Sequence, residues 1–120
     1  MGKLTTSCST LGYAMAGATI AAAMAAEGWV GRGDEIGAER AAVAAMRDAL
    51  AAIDFSGRVV VGEVDGDVLN VGAMVGTGGG LELDVALEAL EGTTLTAKAM
   101  PTALAVIAAA PRGDFTNEVP

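Results

Sequence analysis

Two carboxylates, a glycine and two hydroxyls fall within one short stretch of this chain, Leu87-Glu88-Ala89-Leu90-Glu91-Gly92-Thr93-Thr94. Gathered in one turn, such groups can hold a divalent cation and a phosphate together, because hard cations take oxygen ligands and share them with phosphate. The remaining composition narrows the chemistry further. The chain has no histidine and a single cysteine, Cys8, which excludes imidazole and thiolate metal sites and any Ser-His-Asp or Cys-His apparatus. Any reaction here is carried by oxygen ligands. Glu63 is a second candidate, since it ends the run Val59-Val60-Val61-Gly62-Glu63, and ligands collect at the carboxyl ends of strands in layered α/β folds. Glu35 and Glu39 lie one helical turn apart near a helix start, where the dipole favours negative charge; by themselves they read as a solvated first turn.

Charge restricts the partners. The net charge is -8, from 15 acidic and 7 basic residues, and an acidic surface repels phosphate backbones. Nucleic acid is therefore not expected as a partner, and a phosphate site on this chain requires bound cations to reverse the local field. At 120 residues the chain fits one small domain, residues 1–120. It is 52% hydrophobic but only 3% aromatic, so its core is filled by Ala, Val, Leu, Ile and Met. Cys8 has no partner for an intramolecular disulfide, which suits a reducing compartment.

Two helices and then a mostly β segment are expected to position these groups. The stretch from Leu11 to Ala26 carries no charge, follows Lys3 and ends in Met24-Ala25-Ala26-Glu27, which imitates a secretory signal with its small-residue cleavage site. It is short and alanine-rich for a bilayer span, so no membrane role is expected. The alternative is a buried first helix, apolar on every side because both faces are covered. Gly12 and Gly17 each weaken it by roughly 1 kcal/mol relative to alanine, so it needs tertiary contacts. Gly31-Arg32-Gly33-Asp34 then breaks the chain, with Asp34 placed to cap a second helix. In that helix Ile36, Val43, Met46, Leu50 and Ile53 recur at helical spacing and predict its core stripe. Val59 to Val61, bounded by glycines, predict a strand buried on both faces. Gly76-Thr77-Gly78-Gly79-Gly80 lacks the endings of a P-loop or a dinucleotide loop and reads as a flexible turn. Leu81, Leu83, Val85 and Leu87 alternate with Glu82, Asp84, Ala86 and Glu88, the period of a half-buried strand that delivers Glu88 to the acidic turn. A last strand, Ala103 to Ala110, precedes a Pro111-Arg112-Gly113-Asp114 reverse turn.

Several of these pieces occur together in an order that resembles one family. Gly31-Arg32-Gly33-Asp34, Ala41-Ala42-Val43, Ala45-Met46-Arg47, Val59-Val60-Val61-Gly62-Glu63, Val75-Gly76-Thr77-Gly78, Glu91-Gly92-Thr93-Thr94 and Met100-Pro101 with Leu104-Ala105-Val106-Ile107 are similar to segments of class II fructose-1,6-bisphosphatases, from about Leu11 to Asn117. Those enzymes belong to the lithium-sensitive, metal-dependent sugar and inositol phosphatases. The resemblance implies an α/β (α+β) chain with part of a layered αβαβα sugar-phosphatase fold. It also implies that residues 11 to 30 form the family's opening helix rather than a signal segment. Carried over by position, it places metal carboxylates at Glu39, Glu63, Glu88 and Glu91, substrate-phosphate contacts at Glu91, Gly92 and Thr93, and catalytic roles at Glu63 and Thr93. The implied cofactor is Mn²⁺ or Mg²⁺ and the implied substrate a sugar bisphosphate, in a cytoplasmic enzyme of gluconeogenesis. Homo-oligomerisation is left open.

The chain departs from the family pattern at defined positions. Glu39 and Glu88 stand where the family has aspartates, and metal–oxygen distances tolerate only about 0.2 Å. Ala89 replaces a proline, Val64 puts a branched side chain beside Glu63, and the stretch from Glu63 to Gly76 is shorter than in the family. The resemblance covers only the family's amino-terminal part. Three classes of protein follow as expectations: a fructose-bisphosphatase-like phosphohydrolase, truncated or a fragment; a non-catalytic remnant serving as an association module; and a secreted acidic binding protein whose mature chain begins near Glu27.

Overall fold

A computed structural model describes residues 8–64, 66 and 68–115; Lys3, Asp65, Asp67 and Asn117 lie outside the described residues. Helix α1, Cys8–Glu27, leads into α2, Glu35–Ala51. Four strands follow, β1 (Phe55–Val61), β2 (Met74–Val75), β3 (Leu81–Glu91) and β4 (Leu104–Pro111), with a short helix α3, Thr93–Ala97, between the last two. The sheet order is β2-β1-β3-β4, with β1 parallel to β3 and the outer pairs antiparallel. This mixed sheet with helices is an α+β architecture consistent with part of a sugar-phosphatase fold.

The first helix buries one stripe, Leu11, Met15, Ala18, Ala22 and Ala26, at intervals of three and four. Its other side is open, with Tyr13, Ile20 and Met24 exposed, so the expectation of cover on every face is corrected. The reason is architectural: among the described elements, α1 packs on α2 and on the β3–β4 part of the sheet, which lie along one side of it. Fully buried alanines on both helices, Ala18 and Ala22 with Ala38 and Ala42, let the backbones approach closely. At twenty residues α1 is longer than the apolar stretch read from sequence, and Ser9–Glu27 is long and apolar enough to cross a membrane by length and composition alone. A core helix meets the same measure.

Local rules account for the start of α2. Asp34 caps it, its carboxylate accepting the Gly37 N–H at 2.8 Å. Gly37 has no side chain because the Trp29 ring lies where a Cβ would go, and Arg32 stacks over that ring at 5.3 Å from its centroid. The core stripe of α2 is Ala38, Ala42, Val43, Met46 and Leu50, with Ile53 partly buried behind it. Ile36, expected in that stripe, is exposed, because it sits in the first turn where the packed core gives way to an open cavity.

Burial along β1 alternates instead of covering both faces as the valine run suggested. Phe55, Gly57 and Val59 are buried, and Val61 is exposed. The helical core cluster takes up one face of this sheet, and Val85, Leu87 and Ala89 of β3 belong to the same cluster. On β3 the alternation holds for Val85 and Leu87, but Asp84, expected on the solvent side, is 2% exposed. Its carboxylate forms ion pairs with Arg58 at 3.3 Å and Arg112 at 3.2 Å, and accepts the Gly113 N–H at 2.9 Å. Arg112 also donates to the carbonyls of Ser56 and Leu83 and pairs with Glu82. The turn after β4, closed by Asp114 N–H to the Pro111 carbonyl, thereby clamps the β1–β3 pair from the side opposite the helices.

The Gly113 amide, followed by Arg58 and Arg112, holds the Asp84 carboxyl below its ordinary value of 3.8, against the opposing effect of burial. A depressed folded pKa stabilises the fold above the unfolded value and loses that contribution as pH falls through the folded one. Asp84→Asn should lower the melting temperature at neutral pH and flatten the loss of stability expected of the parent below about pH 3.8, as thermal melts across pH 2 to 7 will read.

Candidate metal centre

The parallel pairing of β1 and β3 builds the site. Val61 is in register with Ala86, so Glu63 and Glu88 both lie two residues further along neighbouring parallel strands and arrive at the same end of the sheet. A register shift between Val59 and Val61 marks where β1 bends before it ends. Past the strand, Glu63 N–H donates to the Leu69 carbonyl at 3.0 Å, and residue 63 bridges to Asn70. Gly62 makes this return possible, because a Cβ there would run into the Leu69 carbonyl oxygen. Glu39 reaches the same place from α2, on the second turn.

One carboxylate oxygen from each of Glu39, Glu63 and Glu88 lies within 4.8 Å of the others. Two oxygens on opposite sides of a cation at about 2.1 Å each are about 4.2 Å apart, so this spread is close to what one octahedral ion needs. The extra methylene of Glu39 and Glu88, compared with the aspartates of the family pattern, does not keep the three carboxylates from gathering. The three groups border a cavity of about 860 Å³ whose walls include Arg40, Gly62, Val64 and Val68. Val64 does not crowd Glu63; its side chain is 88% exposed at the cavity rim.

The electrostatics are those of a site short of positive charge. Glu63 Oε2 is buried with no hydrogen-bond partner. Burial, then hydrogen bonding with the Glu39 carboxyl, then repulsion from Glu88 and Glu39 raise the Glu63 pKa to about 7 from 4.5. Burial and the charges of Glu91 and Glu39 also raise that of Glu88, against a backbone hydrogen bond at Leu90. A divalent cation answers both the orphaned oxygen and the mutual repulsion, so the donor set fits a hard divalent cation.

The other candidates occupy the end of β3. That strand continues through Glu88 to Glu91, longer than the alternation predicted, so Glu88 is a strand residue and the turn begins only at Gly92. Ala89, which replaces the family's proline, is buried in the strand. Glu91 is exposed, pairs with Leu104, and lies outside the three-carboxylate group, though its charge is felt at Glu88. Gly92 has φ 106°, and a Cβ there would press on Leu95 and Ala103. Thr93 donates its hydroxyl hydrogen to Glu35 rather than to the cluster. Two groups were given no role in the sequence. Arg40, adjacent to Glu39, brings a cation to the cavity wall, and Glu35 holds the Thr93–Thr94 hydroxyls from 58 and 59 residues away. Adjacency to Glu39 is a usable signal for Arg40; no local pattern signals so distant a pairing for Glu35.

A raised folded pKa on a carboxyl has a definite consequence for the metal-free chain. Between pH 4.5 and about 7 the folded state binds a proton at Glu63 that the unfolded state has released, so stability falls as pH rises through this window. Urea midpoints should therefore decline from pH 4.5 to 7.5 in the metal-free protein, and Glu63→Gln should remove most of that slope.

The sequence matches proteins of known family. Residues 9–120 match the model of the bacterial, glpX-encoded fructose-1,6-bisphosphatase family. Over 102 residues the chain is 43% identical to fructose-1,6-bisphosphatase 1 class 2 of Escherichia coli strain K12. The class 2 enzymes of Escherichia coli O6:H1 and Shigella flexneri show the same identity over the same length. Each alignment takes in 82% of this chain but 30% of the relative, so the chain spans about a third of the length of these curated relatives. A match that runs through the three helices, the four strands and all three clustered glutamates shows that the chain belongs to the glpX-type, class II fructose-1,6-bisphosphatase family.

Proposed function

We propose that this chain supplies the metal-and-phosphate corner of a fructose-1,6-bisphosphatase, with Glu39, Glu63 and Glu88 holding Mn²⁺ or Mg²⁺ and Glu91, outside that group, adding its charge beside it. The observation that carries this reading is the convergence of three carboxylates around the buried, unpartnered Glu63 Oε2. A cation bound there would neutralise charge on the phosphate oxygens and act as a Lewis acid while water replaces the sugar oxygen on phosphorus. The chain's own residues do the rest. Glu63 would hold the cation in its ionised form, and its pKa near 7 without one reflects burial, a hydrogen bond with the Glu39 carboxyl and like charges. Gly92 lets the backbone approach a phosphate closely, and Thr93 presents a hydroxyl beside it. Arg40 adds positive charge at the cavity wall, where a phosphorylated sugar enters an otherwise acidic surface. The substrate in this reading is fructose 1,6-bisphosphate, the setting gluconeogenesis in the cytoplasm, and nucleic acid is no partner of a chain with net charge -8.

A second reading, an association module of the same fold without turnover, is favoured by the span of about 30% of the relatives' length. Remote contacts that orient a substrate are what convert binding into rate, and most of the relatives' length lies outside this span.

Calorimetric titration with Mn²⁺ separates the outcomes. The parent chain should bind Mn²⁺ with release of protons near pH 7, and Glu63→Gln should weaken binding by at least roughly tenfold. Phosphate release from fructose 1,6-bisphosphate that is lost in Glu63→Gln and Thr93→Ala supports the enzyme; Mn²⁺ binding without release supports the module. No binding at millimolar Mn²⁺ would sink the metal site.

A further inference from the structure

Basic residues are few on this chain, 7 against 15 acidic ones, and the described arginines are engaged with one exception. Arg32 lies over the Trp29 ring, Arg47 pairs with Asp48 at 3.0 Å, and Arg58 and Arg112 close on Asp84. Among the described residues, none forms an ion pair or hydrogen bond with Arg40. Arg40 is exposed, and it is the one basic side chain among the described residues lining the cavity of about 860 Å³ beside the carboxylate cluster. Ile36 and Ala44, four residues before and after it, line the same cavity, as does Val43, so Arg40 stands mid-way along the face of α2 that forms this wall. Glu39 is turned about 100° from it around the helix and reaches the cluster. Adjacent helix residues do not face each other, and Arg40 pairs with none of Glu39, Glu63 and Glu88. Its charge stands apart from the carboxylates, on the same cavity.

We infer that Arg40 is a specificity-determining residue: it takes the second phosphate of a ligand whose first phosphate sits at the carboxylate-bound cation, so that the cavity selects sugar bisphosphates over sugar monophosphates. The inference rests on the phosphatase reading for the first phosphate and adds the second. A guanidinium is charged at every working pH, and its planar fork of N–H donors matches two phosphate oxygens at once. Its neighbours on the wall, Ile36, Val43 and Ala44, carry no side-chain donor, so a phosphate on this side of the cavity finds one binding group. Ligand pockets commonly enclose about 300 to 1,000 Å³, so this cavity has room for a sugar between two charged ends. Charge supplies the sign of the preference. A second phosphate adds about -1.5 to -2 charges at pH 7, which a surface of net charge -8 opposes unless a cation meets it. The carboxylate-bound cation is taken by the first phosphate, and Arg40 is left to meet the second.

The experiment is carried out on the full chain, comparing the parent with Arg40→Gln and Arg40→Lys by calorimetry at saturating Mg²⁺. The probes are inorganic phosphate and the phosphonate analogues of fructose 1-phosphate and fructose 1,6-bisphosphate, in which a methylene group replaces each ester oxygen and prevents hydrolysis. The parent should bind the bisphosphonate at least roughly tenfold more tightly than the monophosphonate, and Arg40→Gln should lose most of that difference. Inorganic phosphate and Mg²⁺ affinities should change by less than about twofold in the same variant, and Arg40→Lys, which keeps the charge but not the fork, should fall between. A parent without the preference, a preference that survives in Arg40→Gln, or an equal weakening of inorganic phosphate would overturn the inference. If the parent binds no Mg²⁺, the metal reading fails by itself, and Arg40 is then decided by nuclear magnetic resonance on the metal-free chain. Its side-chain Nε–H signal, identified by its loss in Arg40→Gln, should shift at a lower concentration of bisphosphonate than of monophosphonate. No shift, or the same response to both, overturns the assignment of Arg40.

Discussion

Parallel pairing of β1 with β3 is the constraint on which the rest of the molecule depends. It sets Val61 beside Ala86, and the identical offset of two residues then carries Glu63 and Glu88 to adjacent positions beyond the sheet. Parallel neighbours need a crossover, and here the connection includes β2, which pairs back onto β1. A slip of one residue between β1 and β3 would turn Val59 or Val85 away from the helices and part the two glutamates together. Core packing and site geometry are therefore specified by the same ladder.

Two groups of charged residues hold that ladder from opposite directions, and they differ in how their charge is balanced. Asp84 is buried beneath two arginines and a backbone amide, so its ionised form is favoured. Glu63 is half-buried among carboxylates, so its ionised form is opposed. The first arrangement is complete as it stands. The second is complete only with a proton or a cation, and this asymmetry distinguishes a structural carboxylate from a binding one within a single small sheet.

Much of the architecture was legible in local pattern. Asp34 as a helix cap, Val43, Met46 and Leu50 as a core stripe, the alternation at Val85 and Leu87, and the turn after Pro111 follow from rules that act within a few residues. The departures share a cause. Ile36, Val61 and the outer side of α1 carry apolar side chains at positions the described fold leaves open, because periodicity states which residues share a face and not whether anything covers it. Asp84 shows the converse, a polar residue on a strand's outer face that is buried because Arg58 and Arg112 close over it. Local pattern singled out Glu88 and Glu63, whereas Glu39, which by residue type reads as part of a solvated first turn, came from the resemblance to class II fructose-1,6-bisphosphatases.

Residue chemistry by itself determined that any site on this chain must use oxygen ligands and a cation, since it has no histidine, a lone cysteine and a net charge of -8. Tertiary structure alone decided which carboxylates meet. Glu39, Glu63 and Glu88 are separated by more than twenty residues at each step, and only the docking of α2 against the parallel strands brings their oxygens within 4.8 Å. The grip of Glu35 on Thr93 and Thr94 is likewise invisible to any local rule. Charge and ligand type are properties of single residues, whereas coordination is a property of distance, and distance between remote residues is set by packing.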